Sequence, residues 1–234
     1  MRRVIAICLL IIVAACSSKK DGNMIVQGKI KGLKKGKLYL QKMKDTVLIT
    51  VDSVSILGDN YFKLSDNIDA PELFYLTFKG SNAQERILFF GEKGLITIND
   101  NIEKFGLNPD ISGSKNQEIL EKYNFINRKF INERLDFVEK DFTAKKNNDK
   151  EMMQQLDVDY KKLEKRRILY TTNFALTNAD FEATPYIALT ELYNANVTLL
   201  DTVNKSLTAK VKSSIYGKSF NDYVTKIKAM EAKK

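Results

Sequence analysis

Few side chains in this 234-residue chain could do chemistry. There is no histidine, which removes Ser-His-Asp and Cys-His catalysis, imidazole general-base chemistry and the commonest zinc ligand. The only thiols are Cys8 and Cys16, and no Cys-x-x-Cys pair exists to supply a low-pKa thiolate with a resolving partner. Carboxylate chemistry remains. Glu133, Asp136 and Glu139 evoke an acid pair of the glycosidase kind, which needs two carboxylates facing a cleft. They fall instead at helical spacing beside Arg134 and Lys140, as surface charges do. Asp157-Val158-Asp159 offers two oxygen ligands to a cation, but the further ligands and the glycine of a calcium loop are missing. Gly32 to Gly36 lacks the lysine-serine ending of a phosphate loop and precedes a strand. The expectation is no catalytic residue, no cofactor and no metal.

Binding chemistry has two candidates. Lys161, Lys162, Lys165 and Arg166, with Arg167, form the densest basic cluster and could meet an acidic partner or anionic lipid, although Asp157, Asp159 and Glu164 lie within helical reach to pair them. Tyr61, Tyr75, Tyr123, Tyr160, Tyr170 and Tyr186 could stack on sugars, but most occupy core-facing stripes and there is no tryptophan.

The clearest single site is Cys16. Met1-Arg2-Arg3 is a short positive start, and Val4 to Val13 is an unbroken apolar run. The run is too short to span a bilayer, which needs ~20 residues, and has the length of a signal-peptide core. Val13-Ala14-Ala15-Cys16 then resembles the lipobox of bacterial lipoproteins. The small residues suit a narrow protease groove, and the sulfur takes the diacylglycerol. A lipobox cysteine also gains further acyl chains such as palmitate, and two or more chains hold stably where one does not. The expected organisation is a signal peptide at 1–15, a lipidated tether at 16–23 including Lys19 and Lys20, and a globular remainder. Ser17 after the cysteine is unlike the aspartate associated with inner-membrane retention, which favours the outer membrane. The net charge is +9 and falls to +7 once Arg2 and Arg3 are removed. That balance favours anionic surfaces, and export outside the cytoplasm argues against nucleic acid.

The elements that must hold any site divide in two. Residues 24–112 read as an antiparallel β domain, sandwich-like or barrel-like. Met24–Ile30 and Lys37–Gln41 flank a Gly-rich turn and suggest a hairpin. Val47, Ile49 and Val51 alternate with Leu48, Thr50 and Asp52. Gly58-Asp59-Asn60 is a turn before Tyr61–Leu64, and Leu73–Phe78 is apolar on both faces and therefore central. Ile87–Phe90 and Leu95–Ile98 suggest a last hairpin. Residues 113–234 read as helical. Ser114 with Gln117 is a capping box. Ile119, Tyr123, Ile126 and Phe130 form a stripe that Leu135, Val138 and Phe142 continue after a phase shift. Met152, Leu156, Tyr160, Leu163, Tyr170 and Phe174 form a second stripe beyond Asn147-Asn148-Asp149, so a long antiparallel helical hairpin is expected. Thr184-Pro185 marks another start, Gly217 a helix end, and Ser219 with Asp222 a last cap. Strands first and helices second define an α+β chain. A long hairpin with outward apolar residues can dimerise, and the pattern leaves the oligomeric state open.

Asp52-Ser53-Val54, Gly58, Phe62 and Ala70-Pro71-Glu72-Leu73-Phe74-Tyr75-Leu76 resemble a β-rich domain of unknown function in Bacteroidota envelope lipoproteins. Gly32 to Leu40, Ile111-Ser112-Gly113-Ser114, Thr184-Pro185-Tyr186-Ile187-Ala188 and Tyr216-Gly217-Lys218 are similar to the same family. In that family the β domain and a helical segment usually precede a thioredoxin-like (TlpA/ResA-type, AhpC/TSA) domain, which this sequence does not contain. The resemblance thus carries over fold and envelope address, and no redox residue. The resulting expectation is a non-enzymatic, membrane-anchored lipoprotein that binds a partner protein. The alternatives are an accessory to thiol-disulfide or stress-response enzymes, or a glycan-binding lipoprotein.

Overall fold

The computed structural model describes residues 22–78 and 85–232. The expected signal peptide, Cys16 and most of the expected tether lie outside the described residues.

Eight strands come first: β1 (Met24–Lys31), β2 (Lys35–Lys44), β3 (Val47–Leu57), β4 (Tyr61–Asp66), β5 (Glu72–Phe78), β6 (Ile87–Gly91), β7 (Gly94–Asn101) and β8 (Asp110–Ser112). They form two four-stranded sheets, β4-β1-β7-β8 and β3-β2-β5-β6. Side chains alternate across each strand, and the inward set closes a shared core of Val26, Ile30, Leu38, Leu40, Phe62, Leu64, Phe74, Leu76, Phe89, Ile96 and Ile98. The architecture is a sandwich. All strand pairs are antiparallel except β1 with β7, which run parallel.

The two hairpins expected from the Gly-rich turns do not form. After β1, Gly32 and Leu33 carry the chain over the end of the core into the other sheet, with the Leu33 side chain buried beneath the crossing. Both edges of β1 are already occupied, by β4 and β7, so β2 has no ladder to join there. The turn at Gly91 to Gly94 crosses between the sheets in the same way. The local hairpin is instead β2–β3, closed by Asp45 in the left-handed region (φ 55°).

The helices follow: α1 (Lys115–Lys146), α2 (Lys150–Thr177), α3 (Ala183–Glu191), α4 (Val197–Ser206), α5 (Ala209–Ser213) and α6 (Ile215–Glu231). Gly113, at φ 95°, makes the bend from β8 into α1, where a Cβ would sit 2.1 Å from the Leu95 carbonyl oxygen. α1 and α2 pair as the antiparallel hairpin, turning at Asn148 (φ 54°), with the Asp149 carboxylate accepting the Met152 N–H. α3 to α6 wrap the end of α2 around Ala175, Leu192, Leu200, Val203, Val211 and Phe220. A third core joins the halves. Leu73 and Phe90 point away from the sandwich interior and pack under Ile119, Leu120, Tyr123, Ala183 and Ile187.

Three helix ends differ from expectation. Ser114 caps α1 by accepting the Gln117 N–H at 3.1 Å, but the Gln117 side chain turns to the sheet and accepts the Phe90 N–H, so only half of the capping box exists. α3 begins at Ala183 behind Glu182, and Thr184 Oγ1 donates to the Asn178 carbonyl instead of capping. Gly217 ends no helix. It lies in the first turn of α6 behind the cap Ser214, because a Cβ there would meet the Val211 carbonyl oxygen at 2.0 Å. Ser219 lies inside α6, where its hydroxyl donates to the Ile215 carbonyl.

Candidate functional site

Three places combine chemistry with geometry. The first is the polar joint between sheet and helices. Glu92, on the β6–β7 crossing, reaches the start of α1 and accepts from the Lys115 N–H (3.0 Å), the Asn116 N–H (3.2 Å), the Asn116 side-chain amide (3.0 Å) and the Ser114 hydroxyl (3.1 Å). Burial pushes the Glu92 carboxyl up, but these donors outweigh it and hold it below the ordinary carboxylate range. The helix dipole favours an anion at this end. Glu92 thus satisfies two of the free N–H groups in the first turn of α1, at Lys115 and Asn116. Asn116 donates onward to Glu182 at 3.1 Å and accepts the Ala183 N–H, tying α1 to α3. Glu182, only 1% exposed, has Lys210 Nζ at 2.8 Å. Each group faces a protein partner, so the joint fastens the two halves and offers no open chemistry.

The second is a groove of about 710 Å³ beside α1, rimmed by Arg86, Leu107, Asp110, Lys122, Phe125 and Arg128. Arg86 stacks over the Tyr75 ring at 4.8 Å.

The third is the outer half of the α1–α2 hairpin. Beyond Arg128, α1 buries only Ala144, and the first part of α2 buries only Leu156 until Leu163. This stretch is an arm in which each helix is covered by the other. Its seam is filled by Phe137, Leu156 and, at the root, Phe130 packed on Tyr170. The predicted continuation stripe does not enter the seam: Leu135, Val138 and Phe142 are 61%, 61% and 70% exposed. Helix phase explains the difference. At 100° per residue the heptad steps from Tyr123 lead to Phe130 and Phe137, whereas 135, 138 and 142 lie roughly 100–160° round the helix from Phe137 and so fall outside the seam. Leu135, Phe137 and Val138 with Leu156 and Met153 line a groove of about 370 Å³, rimmed by Arg134, Asp141, Asp157 and Tyr160.

The residues singled out in the sequence are dispersed. Glu133 pairs with Arg166, and Asp136 and Glu139 are exposed along α1, so they make no acid pair in a cleft. Asp157 pairs with Lys161 at 2.7 Å and Asp159 with Lys162 at 2.9 Å, which takes up most of the basic cluster along α2. Among the described residues no group of three or more His, Cys, Asp and Glu side chains gathers for a metal ion. Arg167 leaves the basic face altogether. It is buried, bonded to Glu164 and Glu191, and donates to the Glu191 carbonyl. Burial opposes its charge, and the two carboxylates outweigh that effect and raise its pKa. Tyr123 is buried with its hydroxyl bonded to Thr171, Tyr170 and Tyr186 are packed in the joint core, Tyr75 is half-buried, and Tyr61 and Tyr160 remain exposed.

The joint was out of reach of sequence reasoning. Glu92 sits 22 residues before the Ser114 hydroxyl it accepts from, and Glu182 66 residues after Asn116. Lys42 is a similar case, clamped between Asp66 and Glu72 at 2.9 and 2.8 Å across the two sheets.

Residues 24–120 match the profile of a family described as a domain of unknown function (DUF4369). The matched stretch covers the whole sandwich and the first turns of α1. No curated protein and no solved structure matches the chain. No described helix is long and apolar enough to cross a membrane.

Proposed function

We propose that this chain is a non-enzymatic lipoprotein of the bacterial envelope, anchored through Cys16, whose helical arm is the surface that meets a partner protein. The arm carries this reading. An exposed apolar ridge, Leu135, Val138 and Phe142, borders a groove on an element that leaves this ridge uncovered among the described residues. Contiguous apolar surface with a polar rim marks interaction sites. The anchor rests on Val13-Ala14-Ala15-Cys16 behind the apolar run, and Ser17 favours the outer membrane. Cross-linking and capture of the lipidated protein from native envelope tests both parts. A cross-linked protein species lost in Leu135→Lys/Val138→Lys supports the arm, and release of the protein from membranes by Cys16→Ala supports the anchor. Capture unchanged by the arm variant overturns the arm reading.

An accessory role beside thiol-disulfide enzymes draws only on the DUF4369 match and the resemblance to Bacteroidota lipoproteins with thioredoxin-like domains. Glycan binding draws on the groove at Arg86, Phe125 and Arg128. A glycan array without hits removes it.

A further inference from the structure

We infer that the tip of the β2–β3 hairpin lies in the headgroup layer of the membrane that anchors the chain, so that the sandwich stands on the lipid surface by one end. The inference rests on the reading of Cys16 as a lipid anchor and says how the anchored body is oriented.

The tip is Met43-Lys44-Asp45-Thr46-Val47-Leu48, and all six residues are exposed. Three of them are large and apolar: Met43 is 45%, Val47 60% and Leu48 39% exposed. β2 pairs with β5 only as far as Lys42 and Phe74, so beyond Lys42 the two strands of the hairpin pair only with each other. Met43 stands opposite Leu48 on one face of the hairpin, and Val47, the next residue, points to the other face. A tip that is apolar on both faces fits immersion in a lipid interface better than a one-sided contact with a protein surface. Lys44 and Asp45 balance in charge, so the apolar side chains carry the contact.

Position makes the membrane the occupant. Met24, at the start of β1, is level with Asp66 and Gly94. Its Sδ and the Phe74 ring both crowd Gly91, where a Cβ would meet them at 2.6 and 2.5 Å. Lys42, at the base of the tip, reaches Asp66 and Glu72 at 2.9 and 2.8 Å. The tip and the point where the chain enters the sandwich therefore share one end. Gly22 follows Cys16 by six residues, so the anchored sulfur stands at most about 22 Å from this end. Leu57, also apolar and 76% exposed, closes the far end of the same strand, about 33 Å from Val47. The arm also leads away. α1 starts at Glu92 and comes level with Arg86, at the other end of β6, by Phe125 and Arg128, so the arm continues past the end remote from the anchor.

The test places one fluorescent label on the full-length lipidated protein in vesicles of phosphatidylethanolamine and phosphatidylglycerol. With Cys8 removed and Cys16 acylated the mature chain has no free thiol, so Val47→Cys and Leu57→Cys each give a single site for nitrobenzoxadiazole, at the two ends of β3. Circular dichroism confirms that each variant is folded, and flotation with the vesicles reports the anchor separately. The label at 47 is expected to emit further to the blue than the label at 57 and to lose intensity when lipids with a nitroxide near the headgroup are included, while the label at 57 does neither. Adding Met43→Asp/Leu48→Asp to Val47→Cys is expected to abolish both changes in a protein that still floats. Protein that floats while position 47 stays as wet as position 57 overturns the tip and leaves the anchor standing. A blue shift at 47 that nitroxide lipids do not quench means that protein covers the tip, and overturns lipid contact. Protein that does not float overturns the anchor, and the tip falls with it.

Discussion

Glu92 makes the sharpest prediction at the scale of a single residue. Its folded carboxyl lies below the unfolded value, so its stabilisation is complete above the unfolded pKa of about 4.3 and is lost as pH falls through the lower folded value. Glu92→Gln is expected to cost about 1–2 kcal/mol in urea unfolding at pH 7, because a charged helix cap is lost. The gap between variant and wild type should narrow below about pH 4.5. A gap that is constant with pH would mean that the carboxylate charge plays no part. The basic run offers a second contrast. Arg167→Leu leaves Glu164 and Glu191 without their buried partner and is expected to cost about 2–4 kcal/mol, whereas Arg166→Leu, on an exposed pair, should cost under about 1 kcal/mol. Thermal unfolding of the two variants side by side decides it. The sequence shows Arg166 and Arg167 as equivalent neighbours. A turn of 100° between adjacent helix positions sends one to solvent and the other inward, and only the phase of the packed helix tells which.

At the scale of elements, strands and helices were legible because each has its own period, and the order of strands before helices followed directly. Their partners were not legible. Gly32 to Gly36 and Gly91 to Gly94 carry turn chemistry, and turn chemistry fixes that the chain bends without fixing which sheet it enters. Cap residues misled in the same way. Ser219 with Asp222 reads as a helix start, while the structure starts α6 at Ser214 because Gly217 allows the first turn to lie against α5. Gly217→Ala is therefore expected to cost about 1–3 kcal/mol through forced overpacking, Ser214→Ala about 1 kcal/mol, and Ser219→Ala less than about 0.5 kcal/mol, as read from denaturant midpoints. A larger loss from Ser219→Ala than from Ser214→Ala would move the helix start back to the position read from sequence.

For the whole molecule, well-filled cores beside a thinly packed arm predict unequal stability. The sandwich and the α3–α6 cluster are filled by side chains at or near zero exposure, while the arm holds its helices together through a thin seam. Hydrogen exchange in the Leu135→Lys/Val138→Lys variant is expected to be fastest from about residue 131 to 160 among the helical amides and slowest in β1, β7 and the end of α2 near Ala175. Uniform exchange along α1 would contradict an independently opening arm. The candidate surface itself was half legible. The apolar residues Leu135, Val138 and Phe142 were visible at once, but they were read as core because nothing in a single chain reports that an inner seam of Phe130 and Phe137 already fills that role.

The parallel pairing of β1 with β7 also has a mechanical consequence. β1 is the first described strand, held on one side by antiparallel β4 and on the other by parallel β7. Consider a tug from the N-terminal side in the direction of β1. It strains both ladders in shear, so their hydrogen bonds must give way together and cannot be peeled off one after another from a free edge. A strand placed mid-sheet in this way makes a firm attachment point for a body that is towed by its leading end.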